Sequence, residues 1–232
     1  MRNQEASGLK ALEKAGAEYR AGDYESAVAT LTAATVDEGD YLELSYLLGL
    51  SYARLGRFDE ALLYLEQVVT QSDDDERSRQ CRFTLAYVYA VTGRSKLSEY
   101  ELKKLVEASI ETTQVCAALG HANWKQGRLE EGLRWYEKAL ALSPENPTAL
   151  NGYGYLLACS GKDLEKALTC CRKALDDDPD NPAYADSLGW AYFRLGMLSE
   201  AGRYLRAAAG ALAGDAESRE HIAELEKAAR AR

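Results

Sequence analysis

The sequence predicts an all-α solenoid: six helix–turn–helix repeats in series, closed by one further helix. Three observations predict it. Glycines recur at Gly22, Gly56, Gly93, Gly127, Gly161 and Gly196, at separations of 34, 37, 34, 34 and 35 residues. A period near 34 residues marks an array whose units bury their apolar faces against one another. Small residues keep the same clock. Ala15, Gly49, Ala86, Gly120, Gly154 and Gly189 stand seven positions before each glycine; Ala27, Ala61, Ser98, Gly132 and Ala201 stand five after it, with Ala167 one residue late. The composition is helical, with four prolines in 232 residues, 47% apolar and 28% charged.

Each glycine lies between two apolar-periodic segments of helical length, so it marks the turn between a first and a second helix, where a residue without Cβ enters the left-handed region. The two small-residue slots face each other where the helices of a pair cross, letting their axes approach closely. Seven residues further on, Ala34, Val68, Leu105, Ala139, Ala174 and Ala208 seat each second helix against the next repeat. Tyr52, Tyr89 and Tyr192 lie three residues after their small residue, on the same face. Tyr24, Phe58, Leu129 and Leu198 open second helices, and Pro144 and Pro179 fall between repeats.

These rules place repeats near 8–41, 42–75, 79–112, 113–146, 147–181 and 182–215, in a single domain over 1–232. Residues 216–230 form an amphipathic capping helix: Ile222, Leu225 and Ala229 are apolar against Glu217, Arg219, Glu220, Glu224 and Lys227. A terminal repeat exposes an apolar face that such a helix covers.

Leu48-Gly49-Leu50-Ser51-Tyr52-Ala53-Arg54-Leu55-Gly56-Arg57-Phe58-Asp59-Glu60-Ala61 resembles the tetratricopeptide repeat, as does Ser187-Leu188-Gly189-Trp190-Ala191-Tyr192-Phe193-Arg194-Leu195-Gly196. The resemblance implies a right-handed superhelix whose first helices line an inner groove that holds a partner's peptide or helix. The first repeat departs from the pattern at Lys14 and Glu18. The third has Ser95 where a large residue opens the second helix, and three extra residues, Glu76-Arg77-Ser78, precede it, which predicts local loosening around 72–78. The fifth carries one extra residue near Lys162-Asp163. Asn151-Gly152-Tyr153-Gly154-Tyr155-Leu156-Leu157-Ala158 and Asp186-Ser187-Leu188-Gly189-Trp190 resemble bacterial cell-envelope members. That places the chain in the periplasm or envelope if an export signal has been trimmed ahead of it, and in the cytoplasm otherwise.

The charge of −9 and pI of about 4.9 lack the basic footprint of nucleic-acid binders. No apolar run approaches the roughly 18 residues of a membrane span, so no direct membrane insertion is expected. The five cysteines, Cys81, Cys116, Cys159, Cys170 and Cys171, have neither disulfide-framework nor zinc spacing. They read as small buried apolar residues, with a strained Cys170–Cys171 disulfide as the alternative. Asp176-Asp177-Asp178-Pro179-Asp180-Asn181 lacks the glycine and closing glutamate of a calcium loop, and Asp73-Asp74-Asp75-Glu76 reads as an exposed turn. No nucleophile motif or phosphate loop occurs. No catalytic, cofactor or metal residue is predicted, and the chain reads as no enzyme.

The chemistry expected of this chain is therefore binding. By the resemblance, the inner slots hold Tyr19, Tyr46, Tyr87, Trp124, Tyr155 and Trp190, with Arg20, Arg54, Lys125 and Arg194 near the helix ends and His121 beside Trp124. Phe83 and Phe193 share those slots and read as packing between first helices. Aromatic side chains anchor partner chains, and cations grip their carboxylates, although a cation in a helix's last turn also complements the macrodipole. The carboxylate clamp of chaperone-binding members is absent: Leu12, Gly16, Tyr46, Leu50, Phe83 and Tyr87 hold its slots. An asparagine ladder is absent too. The expected function is a scaffold or adaptor that binds a protein or peptide. The alternative is a homo-oligomeric array assembled through its ends.

Overall fold

A computed structural model of the chain describes residues 2–71 and 75–231, with side chains described for 8–71 and 76–231. Among them every long element is an α-helix, thirteen in all, and no strand is present. The chain forms two compact units, Met1–Ile110 and Glu111–Arg232.

The first unit contains α1 (Arg2–Arg20), α2 (Tyr24–Ala33), a 3-10 turn (Glu38–Asp40), α3 (Tyr41–Arg54), α4 (Phe58–Gln71), α5 (Asp75–Val91) and α6 (Ser95–Glu107). The second contains α7 (Thr113–Trp124), α8 (Leu129–Leu142), α9 (Pro147–Ser160), α10 (Leu164–Asp177), α11 (Pro182–Arg194), α12 (Leu198–Ala209) and α13 (Ala216–Arg230). Odd-numbered helices up to α11 are first helices. Within each unit every first helix packs on its own second helix and beside the next first helix.

Local chemistry fixes the boundaries. Asp23, Thr112, Asn146, Asp163, Asn181 and Asp215 cap second or first helices by accepting from backbone N–H groups two or three residues on. Pro147 and Pro182 stand at the first helical position, where their missing N–H is not needed. Turn glycines end the first helices: all six have φ between 71° and 82°. At Gly127 the N–H bonds Trp124 O at 2.8 Å and the Arg128 N–H bonds Asn123 O at 3.0 Å, closing the orphan carbonyls of α7.

The small-residue slots are crossings. A Cβ on Gly132 would lie 3.0 Å from Gly120 O, and one on Gly154 would lie 2.8 Å from Ala167 O, so these slots do meet. At Gly49 and Gly189 the closest neighbours are instead Leu65 and Leu205, each four residues past the small residue of the second helix. Both leucines are fully buried, which stabilises each unit by roughly 1.5–3 kcal/mol per side chain relative to exposure. Val68, Leu105, Ala139, Ala174 and Ala208 are also buried, while Ala34 is half-buried.

One expectation needs correction. Residues 76–78 are not loosened: α5 begins at Asp75 and runs 17 residues, so the insertion extends the helix by nearly a turn, and Arg77 pairs with Glu43 of α3 at 2.9 Å. Positions 72–74, including Asp73 and Asp74 of the acidic run, lie outside the described residues. Phe83 is 38% exposed. The extra residue of the fifth repeat is absorbed by Asp163, which takes φ +41° and still caps α10. The five cysteines are free thiols; Cys81, Cys116, Cys170 and Cys171 are buried.

Candidate functional site

The sequence-predicted residues separate into two groups. In the first unit, Arg54 of α3 lies near Tyr19 of α1, with Tyr24 and Tyr87 close by. Tyr19 and Tyr24 rings lie 5.3 Å apart, and Phe58 meets Tyr87 edge-on at 6.4 Å. Tyr46 donates to Gln80 Oε1 at 2.5 Å, and burial pushes its phenol up to about 12. Tyr87 is 53% exposed and Arg20 is exposed. These side chains form an open aromatic surface, on which Arg54 is exposed.

In the second unit the predicted residues come together. Trp124 on α7 meets Tyr155 on α9 edge-on, ring centroids 5.1 Å apart. His121 lies edge-on to Trp124 at 5.8 Å. Trp190 on α11 stacks on Phe193 at 4.9 Å. Lys125 Nζ sits 4.5 Å from the Trp124 ring, a cation–π arrangement. Tyr155 and Trp190, each one residue past its small residue, hold equivalent positions of adjacent first helices; His121 holds that slot on α7, and Trp124, three residues on, completes an aromatic strip with a cation at its edge.

The strip is covered from within the chain. Helix α13 is anchored through its middle: Leu225 is buried in the core, and Ile222 packs against it. Its first two turns also contribute polar and ring contacts. Lys125 forms an ion pair with Glu217. Ser218 Oγ donates to Asp186 Oδ1 at 2.9 Å, and His221 Nδ1 lies 2.7 Å from Asp186 Oδ2. Since an ionised Asp186 only accepts, that nitrogen carries the proton. His221 Nε2 faces the Tyr155 hydroxyl at 3.2 Å, and its ring stacks on Trp190 at 4.2 Å, 17° from parallel.

The cations have different tasks. Arg194 lies 5.9 Å from the Trp190 ring and donates to Cys159 O at 2.9 Å, so it caps the end of the neighbouring first helix α9. The macrodipole role expected of it is therefore directed at a neighbour. Lys125, at the same distance before its turn glycine, serves α13. Burial, and then the Lys125 charge, pushes the His121 imidazole down to about 4, so it is neutral near pH 7. Burial raises the Tyr155 phenol and the Cys159 thiol, which faces Tyr155 and Trp190.

Sequence reasoning missed Asp186, Glu217 and His221. A signal existed: Glu217 and His221 stand four apart on a helix of mixed charge, and Asp186 stands four before Trp190, so each pair shares one face.

This arrangement of paired helices, turn glycines and small-residue crossings is matched by a family model described as Tetratricopeptide repeat, over residues 12–76, 117–182 and 163–216. The chain belongs to the tetratricopeptide-repeat family. A TPR repeat-containing protein of Pseudomonas aeruginosa, PA4667, is 41% identical over 81 residues, covering 35% of this chain and 13% of that protein. The TPR repeat-containing thioredoxin TTL4 of Arabidopsis thaliana is 36% identical over 86 residues, 37% of this chain and 12% of its own length. The chain therefore spans only about an eighth of these curated relatives. Among solved structures, MamA of Desulfovibrio magneticus RS-1 superposes with a TM-score of 0.65 at 20% identity, covering 73% of this chain and 94% of that one. The tetratricopeptide-repeat protein YrrB, described as having an unusual peptide-binding site, superposes with a TM-score of 0.54 at 19% identity, covering 81% and 92%. These likenesses concern the fold. Among the described residues, no helix is long and apolar enough to cross a membrane.

Proposed function

We propose that this tetratricopeptide-repeat chain is a non-enzymatic scaffold whose second unit binds a helix or peptide of a partner protein on its first-helix face. The observation that carries this reading is the strip of Trp124, Tyr155 and Trp190, contributed by three successive repeats and edged by Lys125. Rigid aromatic rings bury large area with little rotamer entropy to lose, which suits them to anchor a partner. Lys125 adds a carboxylate preference on a chain whose net charge of −9 otherwise repels acidic partners. The peptide site described for YrrB and the bacterial relative PA4667 are in keeping with it.

The test is site-specific photo-crosslinking in the native organism. A photoreactive residue at position 126, beside Lys125, should capture one defined protein, and Trp124→Ala should abolish that capture. Crosslinks of equal yield from position 63, on α4 of the other unit, would refute the reading.

A second reading, self-assembly, draws on exposed apolar side chains of second helices: Leu63 is 66% exposed and Tyr100 is 54% exposed. Light scattering separates the two. A concentration-independent monomer mass removes assembly, and a mass that grows with concentration and falls with Leu63→Ser supports it.

A further inference from the structure

The polar contacts of α13 describe the partner that the strip fits. We propose that the first-helix face of the second unit takes a helix carrying a carboxylate four residues before a planar, hydrogen-bonding ring, and that Glu217 and His221 of α13 occupy that site until such a helix displaces them. The proposal rests on the binding reading above and specifies its ligand.

The contacts match the site group by group. Residues four apart lie on one helix face. Glu217 meets Lys125 on α7, while His221 meets Tyr155 on α9 and Trp190 and Asp186 on α11. One short helical segment therefore touches all three first helices. A helix that only shields an apolar end needs none of this, since Leu225 and Ile222 already cover the core.

The contacts also differ in how firmly they hold. The Lys125 and Glu217 side chains are 36% and 34% exposed, and an ion pair so exposed contributes little. His221 is held by a stack and two hydrogen bonds that a competing ring can reproduce. Gly210 and Gly214 bracket the link between α12 and α13, and an added Cβ at either would meet nothing. Packing does not require glycine there, so the link is suited to let the first turns of α13 swing away.

The experiment uses the full chain and a fluorescein-labelled peptide of residues 214–230, read by fluorescence anisotropy. Two variants open the site: His221→Ala, and Glu217→Lys at a half-buried position. Circular dichroism and melting confirm the fold of each. Both variants should bind the peptide at least tenfold more tightly than the parent chain. Adding Lys125→Glu to the His221→Ala chain should weaken that binding severalfold, and replacing both Glu217 and His221 of the peptide by alanine should abolish it. If parent and variants bind alike and Lys125→Glu weakens all of them, the site is real but α13 does not occupy it, and this inference is overturned while the binding function stands. If no folded chain binds, or binding ignores Lys125→Glu, both fail together.

Discussion

The imidazole of His221 lies parallel to the indole of Trp190, centroids 4.2 Å apart, although the two residues are 31 positions apart on different helices. That stack ties the last helix to the strip the sequence marks for binding. A Trp190/His221 double-mutant cycle in urea should give a coupling of about 0.5–1.5 kcal/mol, the range of aromatic pairs beyond their buried area. Additive losses would mean the rings merely adjoin.

Crossing glycines should be intolerant for a geometric reason. A Cβ at Gly189 would lie 2.8 Å from Leu205 Cγ and 2.9 Å from Leu205 N, and the backbone atom has no way to give. Gly189→Leu should therefore destabilise the second unit by about 1–3 kcal/mol or more. Gly39→Ala, where a Cβ meets nothing, should change stability by less than about 0.5 kcal/mol. Equal effects in equilibrium unfolding would remove the crossing assignment.

Turn glycines should fail differently. Gly127 has open space around it but a φ of 76°. Gly127→Ala should cost about 1–2 kcal/mol through backbone strain alone. Gly127→Asn should recover part of that loss, because asparagine tolerates the left-handed region. A clash would show no such rescue.

His121 sets a pH dependence. Its imidazole is held down to about 4 in the fold against 6.5 when free. Between these values the unfolded chain binds a proton that the folded chain refuses, so this residue's contribution to stability falls as pH drops from 6.5 towards 4. His121→Gln should lose less unfolding free energy than the parent between pH 7 and pH 5. Identical slopes would place His121 in water.

Thiol reactivity should follow burial. Cys81 is pushed up to about 12 and Cys171 is raised too, both by burial. Since the thiolate is the reactive form, an alkylating reagent at pH 7.5 should label only the half-buried Cys159 slowly in the folded chain, and all five in denaturant. Rapid native labelling of Cys171 would mean that α10 opens.

The repeat was legible because its determinants are local. Gly22, Gly56, Gly93, Gly127, Gly161 and Gly196 each meet a backbone requirement that no other residue satisfies so cheaply, and all six have positive φ. Tyr24, Phe58, Leu129 and Leu198 begin second helices as their spacing predicts. His121, Tyr155 and Trp190 share a strip because stacking places equivalent positions side by side, and Trp124 joins it from three residues further along α7. The apolar stripe of α13 was equally readable, but its other face was not. Whether Glu217 and His221 meet water or Lys125 and Asp186 depends on how the link from α12 turns, and no periodicity records that. The insertion before α5 was misread for a related reason: three extra residues extend a helix as readily as they loosen a loop.

The central claim is that the strip on α7, α9 and α11 receives a helix. Indole N–H resonances test it most directly, because Trp124 and Trp190 belong to the strip whereas Trp135 lies on α8 with Lys138 5.2 Å from its ring. Titrating the full Glu217→Lys chain with the unlabelled 214–230 peptide should shift the Trp124 and Trp190 signals together and leave Trp135 in place. Binding that moves Trp135 alone, or moves no indole signal, would contradict the account.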